Sequence, residues 1–203
     1  MSAQVTVITG ASSGIGEALA RRALDRGDTV VGVSRGKPAW THERFHPVEA
    51  DLLDETATSQ AAAMIAARYA VSTIIHNAGL VWPNLVEAVK PSEVAGLTQL
   101  HITSPLILTQ ALLPAMRANK FGRIVFVTSR AAMGVPTRSA YSATKAGVHG
   151  MARTWALELG PEGITVNVVA PGPILTGNFW GIVPKGSDRE EAIGAQLPVR
   201  RLG

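Results

Sequence analysis

The sequence predicts an α/β fold, with a doubly wound parallel sheet and helices on both of its faces. Short β-branched and apolar runs alternate along the chain with longer helical patterns, which is the order that builds parallel sheets. Polar and glycine-rich segments follow these runs directly, and ligands in such folds bind beyond the carboxyl ends of the strands. About six strands are expected, at residues 5–8, 29–33, 46–50, 71–75, 123–128 and 164–169.

Helical patterns lie between and after these strands, at residues 15–26, 54–69, 91–119, 139–160 and 189–196. Either Asp54 or Thr56 caps the second helix, because both side chains can accept a bond from a first-turn N–H group. Pro105 lies inside the long third region and has no N–H to donate. It therefore predicts a kink or a break there.

The composition is that of an ordered protein. With 203 residues, of which 46% are hydrophobic and 17% charged, one domain over residues 1–203 is expected. There is no cysteine, and we find no signal peptide and no long apolar run, so we expect a cytoplasmic protein with no membrane contact. The net charge of +4 permits nucleic-acid binding, but the basic residues are scattered, so a basic soluble enzyme is favoured. No metal site is predicted.

The first strand runs into a glycine-rich turn, Thr9-Gly10-Ala11-Ser12-Ser13-Gly14-Ile15-Gly16. A strand, a glycine turn and a helix in this order make a phosphate cradle, since the helix N-terminus offers N–H groups and a positive dipole end. Gly10 permits the turn, Gly14 lets the backbone approach a pyrophosphate, and Gly16 allows the helix to pack closely on the strand. The spacing differs from G-x-G-x-x-G, so a plain turn remains the alternative.

The second predicted strand ends at Ser34-Arg35, with Lys37 close by. In dinucleotide-binding folds an acidic residue at this point binds the 2′-hydroxyl of NAD, whereas an arginine accommodates the 2′-phosphate of NADP. No carboxylate follows this strand, so NADP(H) is favoured over NAD(H). The alternative is that Arg35 is only a solvated loop charge.

Tyr141 and Lys145 are four residues apart on the predicted helix 139–160, so they share one face about one turn apart. A tyrosine hydroxyl titrates near pH 10, and a neighbouring ammonium lowers its pKa by stabilising the phenolate. A tyrosine tuned in this way can exchange a proton with a substrate oxygen. The pair is common on helix surfaces, so its weight depends on the glycine turn.

These motifs resemble those of the short-chain dehydrogenase/reductase family in its one-domain form, of the bacterial 3-oxoacyl-carrier-protein-reductase type. The resemblance covers essentially the whole chain and adds Asn77-Ala78-Gly79, Ser129 and Pro171-Gly172 to the motifs above. It implies that Tyr141 is the general acid or base, that Lys145 lowers its pKa and holds the nicotinamide ribose, and that Ser129 orients the substrate oxygen. The cofactor contacts implied beside Tyr141 and Lys145 are Gly10, Ser12, Ser13, Gly14, Ile15, Gly16, Ser34, Arg35, Asp51, Leu52, Asn77, Ala78, Gly79, Pro171, Gly172, Ile174 and Thr176.

The chain departs from the family pattern in two ways. His101 stands where the family has an asparagine that holds a water of a proton relay. We hypothesise that His101 is catalytic, replaces this asparagine and adds a pH dependence near its own titration; the alternative is a histidine that only packs. Family members also continue into a further helix and a seventh strand. Without that strand, we expect the sixth strand to be an open edge.

The predicted function is hydride transfer between NADP(H) and a carbonyl or secondary-alcohol substrate. The alternative is a non-catalytic NADP(H)-binding redox sensor that regulates a partner. Residues 82–86, 131–138 and 175–183, with Trp82, Phe179 and Trp180 among them, are expected to shape a pocket for a moderately apolar small molecule. The resemblance further implies a homodimer or homotetramer.

Overall fold

The computed structural model describes residues 4–203, apart from the side chain of Asn178; residues 1–3, which were part of the argument against a signal peptide, lie outside it. Six parallel strands form one sheet within these residues. The strands are β1 (Val5–Thr9), β2 (Thr29–Ser34), β3 (Phe45–Glu49), β4 (Thr73–His76), β5 (Gly122–Val127) and β6 (Ile164–Val169). The helices are α1 (Gly14–Asp25), α2 (Glu55–Arg68), α3 (Pro91–Thr98), α4 (Ser104–Ala118), α5 (Ser139–Leu159), α6 (Gly177–Trp180) and α7 (Asp188–Ala195).

The strand order is β3–β2–β1–β4–β5–β6, so the winding direction reverses between β1 and β4. Parallel strands need crossover connections, and here helices supply them on both faces of the sheet. A crevice forms at the carboxyl ends of the strands where the order reverses, which is where ligands bind in open α/β sheets. The fold class predicted from the sequence is confirmed.

Alternation along β1 divides the core between the two faces of the sheet. Val7 belongs to a cluster with residues of α2, α4 and α5, whereas Ile8 belongs to a cluster with residues of α1. Successive side chains of a strand point to opposite faces, so both can be fully buried only if both faces are covered. Both are at 0% exposure.

The long third helical region is broken, as Pro105 predicted. A π-helical turn, Gln99–Thr103, separates α3 from α4, and the N–H of Ser104 donates to the carbonyl of Gln99. Pro105 has no N–H for the carbonyl of His101, four residues earlier, so regular α-helical bonding cannot continue through this point. The wider turn leaves His101 buried.

Differences from the predicted elements are small and have physical causes. β4 begins at Thr73, because the N–H of Val71 bonds to Tyr69 instead of joining the sheet. Asp54, and not Thr56, caps α2 through the N–H of Ala57. The four-residue helix α6 was missed because one turn is too short to produce a periodic pattern. None of the helices within residues 4–203 is both long and apolar enough to cross a membrane.

Candidate active site

Most of the predicted site residues line one cleft of about 520 Å³ at the carboxyl ends of the strands. They come from seven separate segments of the chain, which the reversal in strand order brings together. The predicted residues on its wall are Gly10, Ser12, Ser13, Gly14, Ile15, Ser34, Arg35, Asp51, Leu52, Asn77, Ala78, Gly79, Ser129, Tyr141, Lys145, Pro171, Gly172, Ile174 and Thr176. Gly16 and His101 lie behind this wall.

The glycine turn has the backbone that its sequence required. Gly10 and Gly14 have φ angles of 70° and 57°, in the region that other residues rarely adopt. The side chain of Ser13, at the N-cap of α1, makes no bond to the helix. The first N–H groups of α1 therefore remain available to an anionic ligand.

Gly16 supports the turn from behind. A Cβ at this position would lie 2.1 Å from the carbonyl oxygen of Gly10 and 2.5 Å from Nδ2 of Asn77. The motif predicted that Gly16 lets the helix pack closely, and in the structure its lack of a side chain does let α1 pack onto the turn.

Asn77 and Thr9 tie β4 to the glycine turn. Nδ2 of Asn77 donates to the carbonyl of Thr9 at 3.0 Å and to that of Gly10 at 3.4 Å. In return, the hydroxyl of Thr9 accepts the N–H groups of Asn77 and Ala78 at 2.9 and 3.0 Å. The amide of Asn77 thus holds the turn in shape. Thr9 was not predicted as a site residue, although its position directly before Gly10 was the available signal.

The end of β2 carries one cation into the cleft. Arg35 is exposed on the cleft wall, and the Ser34 hydroxyl beside it accepts the N–H of Ser12 at 3.2 Å. Asp51, after β3, is the only carboxylate that lines the cleft within residues 4–203, and it accepts the N–H of Leu53 at 3.0 Å. This end of the cleft therefore offers both an arginine and a carboxylate.

Ser129, Tyr141 and Lys145 meet at the other end of the cleft. Ser129 follows β5, whereas Tyr141 and Lys145 lie on the first two turns of α5. Burial raises the pKa of Tyr141, and a hydrogen bond from Ser129 and the charge of Arg138 lower it to a smaller extent. The net shift is upward, opposite to the lowered pKa expected beside Lys145, because burial outweighs the Ser129 hydrogen bond and the Arg138 charge.

Lys145 is buried beneath the cleft floor. Its Nζ donates to the carbonyl of Val127 at 2.9 Å and lies 5.7 Å from the centre of the Tyr141 ring. Burial lowers the pKa of Lys145 to about 8. The cation therefore faces the ring of Tyr141, in a position fixed by the backbone of β5.

The family model for short chain dehydrogenases matches residues 4–185 of this chain. The chain belongs to the short-chain dehydrogenase/reductase family.

Individual relatives extend over nearly the whole chain. The 3-oxoacyl-(acyl-carrier-protein) reductase of Haemophilus influenzae is 30% identical over 100% of this chain and 86% of its own length. A structure from Beutenbergia cavernae, described as an NAD(P)-dependent gluconate 5-dehydrogenase with bound NADP, has a TM-score of 0.89 and 28% identity over 98% of this chain and 84% of its own. The Brucella melitensis 3-ketoacyl-(acyl-carrier-protein) reductase, complexed with NADH, has a TM-score of 0.87 and 26% identity with the same coverage.

His101 is the first departure from the family pattern. Its Nδ1 lies 2.9 Å from the hydroxyl of Thr144, which also lies within 3.1 Å of the carbonyls of Ala140 and Tyr141. The hydroxyl has one proton, and when it donates that proton to either carbonyl it accepts from Nδ1 of His101. This assigns the proton to Nδ1 and leaves Nε2 as an acceptor.

The predicted titration of His101 near neutral pH is wrong. Burial, aided by the charge of Lys145, lowers the pKa of His101 to about 2. The imidazole is 3% exposed and stays neutral over the whole physiological range. Any part that it takes in proton transfer therefore uses its neutral form.

A second histidine, His76, lies behind the cleft and was not predicted. It ends β4 directly before Asn77, where one titratable residue in an apolar strand was the available signal. Its Nε2 lies 2.9 Å from the Thr109 hydroxyl, and burial lowers its pKa to about 3. His76, His101 and Lys145 line a cavity of about 10 Å³, the size of one water molecule. Nδ1 of His76 and Nε2 of His101 have no partner within residues 4–203.

The substrate end of the cleft differs in detail from the predicted pocket. Ala131, Val135, Arg138, Phe179 and Ile182 line it. The two tryptophans expected in the pocket do not line the cleft. Trp82 lies 3.1 Å from the Cβ position of Gly96, and Trp180 packs edge-on against Phe179. Arg138 was treated as part of a mainly apolar segment, yet it brings to the cleft wall a cation whose charge acts on Tyr141.

Proposed function

We propose that this chain is an oxidoreductase that transfers a hydride between a nicotinamide dinucleotide and a carbonyl or secondary-alcohol substrate. The observation that carries the proposal is a single cleft that begins at the uncapped N-terminus of α1 and ends at Ser129, Tyr141 and Lys145. Relatives that bind NADP or NADH across the same fold support it.

The residues present suit a dinucleotide. The positive φ angles of Gly10 and Gly14 open the turn, and the side chain of Ser13 leaves the first N–H groups of α1 available. We propose that the α1 N-terminus holds the pyrophosphate and that Lys145 holds the ribose next to the nicotinamide. The cofactor supplies the hydride; the chain supplies position, charge and the proton.

Tyr141 acts as the proton donor in carbonyl reduction. Its raised pKa keeps the hydroxyl protonated at neutral pH, which is the state that a general acid needs. The Ser129 hydroxyl holds the substrate oxygen beside it. As negative charge develops on that oxygen, two hydroxyl groups and the buried Lys145 cation stabilise it.

We also propose that His101 takes part in returning the proton to Tyr141. Its Nε2 is an acceptor on the same water-sized cavity as Nζ of Lys145. Its Nδ1 bonds to the Thr144 hydroxyl, whose other partners are backbone carbonyls, so no proton passes on that side. The neutral imidazole therefore acts by positioning: its Nε2 accepts a bond from a water in this cavity, and that water, not the ring, passes the proton towards Lys145.

For the cofactor, we propose a preference for NADP(H). Arg35 projects from the end of β2 at the ribose position of such folds, and a guanidinium pairs well with a phosphate. Titration with NADPH and NADH, followed by tryptophan fluorescence, tests this on the wild type and on Arg35→Gln. We expect Arg35→Gln to weaken NADPH by ~10-fold or more and to leave NADH unchanged. Equal effects on both cofactors would refute the preference.

Tyr141→Phe tests the enzymatic function itself. This variant removes only the hydroxyl, so we expect turnover of a carbonyl panel to fall by ~100-fold or more while NADPH affinity stays within about twofold. Ser142→Ala, one residue away, is the matched control and keeps both. A wild type that binds NADPH but reduces no carbonyl compound would favour the redox-sensor alternative.

A further inference from the structure

Arg138 is a cation at the substrate end of the cleft, three residues before Tyr141. It is half-buried on the cleft wall, and its charge acts on Tyr141, whose pKa it lowers. The ion pairs within residues 4–203 use Arg21, Arg26 and Arg117. Arg138 therefore has no carboxylate partner in that part of the chain.

The backbone holds Arg138 in place at a conformational cost. Thr137 has a φ of 66°, a left-handed conformation that is rare for a β-branched residue. Its carbonyl accepts the N–H of Asn84 at 3.0 Å, and Nδ2 of Asn84 donates to both oxygens of Glu93 at 2.9 and 3.0 Å. Strained residues of this kind concentrate at ligand-binding positions, where surrounding bonds maintain them.

In the part of the chain that the structure describes, one nitrogen of the Arg138 side chain bonds to the protein. Nη1 donates to the hydroxyl of Thr137 at 2.6 Å and to its carbonyl at 3.3 Å. Within residues 4–203, Nε and Nη2 make no hydrogen bond to the protein. A guanidinium anchored through one nitrogen keeps a pair of donors in a fixed plane, the geometry that recognises carboxylate and phosphate oxygens.

The surroundings of Arg138 add positive charge. Arg189, on α7, is close enough to lower the pKa of Arg138, and the exposed Arg130 lines the same end of the cleft. The one carboxylate lining the cleft among residues 4–203, Asp51, follows β3 at the opposite end. Apart from the Ser129 and Tyr141 hydroxyls, the wall here is largely apolar, with Ala131, Val135, Phe179 and Ile182. A low-polarity pocket with uncompensated cations favours a bound anion.

We propose that Arg138 binds an anionic oxygen group of the substrate, so that the substrate is an oxo or hydroxy compound bearing a carboxylate or a phosphate. This inference rests on the proposed function. An anion held by Arg138 places the neighbouring carbonyl at Ser129 and Tyr141, which converts binding into orientation for the reaction. The moderately apolar pocket predicted from the sequence then surrounds the carbon chain between the two ends.

Binding in the presence of saturating NADP⁺ tests the proposal without turnover of ketones. The probes are the linear oxo acids from pyruvate to 4-oxopentanoate, each beside its methyl ester, and dihydroxyacetone phosphate beside dihydroxyacetone. Titration calorimetry compares the wild type with Arg138→Gln, Arg138→Lys and the control Arg130→Gln. NADP⁺ affinity reports whether each variant retains its cleft.

We expect at least one anion to bind ~10-fold or more tightly than its neutral counterpart, because hydrogen bonds between charged groups are the strong ones. Arg138→Gln removes that preference, Arg138→Lys keeps a part of it, and Arg130→Gln keeps most of it. The acid and phosphate arms identify which anion is recognised. If every anion binds no better than its neutral counterpart, or if Arg138→Gln weakens both equally, the proposal is wrong.

Turnover separates this inference from the proposed function. With NADPH, a preferred anion that is reduced supports both. An anion that binds through Arg138 but is never reduced supports the anion site and counts against the oxidoreductase.

Discussion

At the scale of single residues, burial moves Tyr141 and Lys145 towards their neutral forms. The pKa of Tyr141 rises and that of Lys145 falls to about 8, in both cases chiefly because the charged form loses its hydration. Tyr141 therefore carries its proton at neutral pH, and Lys145 loses its own within reach of physiological pH. This arrangement favours proton donation to a carbonyl over proton removal from an alcohol.

The burial of Lys145 has a consequence for stability. Its pKa is about 8 in the folded chain against 10.5 in the unfolded chain, so the unfolded chain binds more protons between these values. Stability consequently rises as the pH increases from about 8 to about 10.5, by up to ~3 kcal/mol from this group. Urea unfolding of the wild type and Lys145→Met across this range measures it. We expect the difference between the two proteins to change with pH; a constant difference would contradict the burial of a charged lysine.

His76 and His101 make the stability of the fold depend on pH in the acidic range. Their pKa values of about 3 and about 2 lie below the usual 6.5, so below pH 6.5 the unfolded chain binds more protons and stability falls with the pH. Each contributes a loss of about 2 kcal/mol by about pH 5. His76→Asn and His101→Asn should each flatten the dependence of unfolding free energy on pH, while His42→Asn, an exposed control, should not.

His101→Asn also tests the relay. Because the imidazole is neutral, we expect the rate of turnover to fall while the shape of its pH profile near neutrality is kept. An unchanged rate would remove His101 from the mechanism and leave it as a packing residue. A profile that changes near pH 6.5 would instead contradict its burial.

At the scale of elements, the glycine turn is the place where β1, β4 and α1 pack together, as well as a candidate site for a phosphate. The Thr9 hydroxyl, the Asn77 amide and the bare Cα of Gly16 hold β1, β4 and α1 together around it. The π-helical turn before Pro105 supports the other end of the cleft, because it leaves His101 buried beside the same small cavity as Lys145. In both regions, contacts on the side away from the cleft fix the position of the groups that line it.

Gly16→Ala tests the packing of α1 on the turn. The added Cβ would meet the backbone oxygen of Gly10, which cannot yield as a flexible side chain would, so we expect a loss of ~1–3 kcal/mol in unfolding free energy. NADPH affinity should fall with it, because the turn must shift. Gly150→Ala, where a Cβ in α5 meets nothing within 4 Å, is the control and should stabilise the chain by ~0.5–1 kcal/mol. Equal stability of the two variants would show that the contact is easily relieved.

At the scale of the whole molecule, one reversal in strand order gathers the site. β1 and β4 are neighbours in the sheet although α1, β2, β3 and α2 lie between them in the chain. β6 pairs with β5 along its full length and is an edge strand of the sheet, and Val169 on it is half-exposed. The outer surface of α5 is also partly apolar, since Leu157 is 81% exposed.

The α5 surface leads to a prediction about assembly. Family resemblance implies a dimer contact through the long helices, and Leu157 is a large apolar side chain that such a contact would cover. We expect Leu157→Glu to shift the mass in solution, measured by light scattering, from oligomer towards monomer. Met64→Glu, a matched change on α2, should leave the mass unchanged. A wild type that is monomeric, or an oligomer indifferent to Leu157, would refute this contact.

Much of this architecture could be predicted from sequence because local patterns carry it. Strand-like runs, the glycine turn and the proline break depend on neighbours in the chain, so the six strands and most helix bounds were predicted within a few residues. Tyr141 and Lys145 were paired by their helical spacing, and a family resemblance added Ser129 and the role of each residue. The four-residue α6 and the exact start of β4 had no such local signal.

Burial and side-chain partners were decided only by the tertiary structure. Whether His101 titrates near neutral pH and whether the pKa of Tyr141 rises or falls both depend on segments distant in sequence. The same holds for the charge of Arg138, which lies in a segment predicted to line a moderately apolar pocket and is a cation on the cleft wall in the fold. The sequence by itself determined which elements form and which chemical groups stand at their ends. Only packing determined which charges those groups keep, because desolvation depends on every atom nearby.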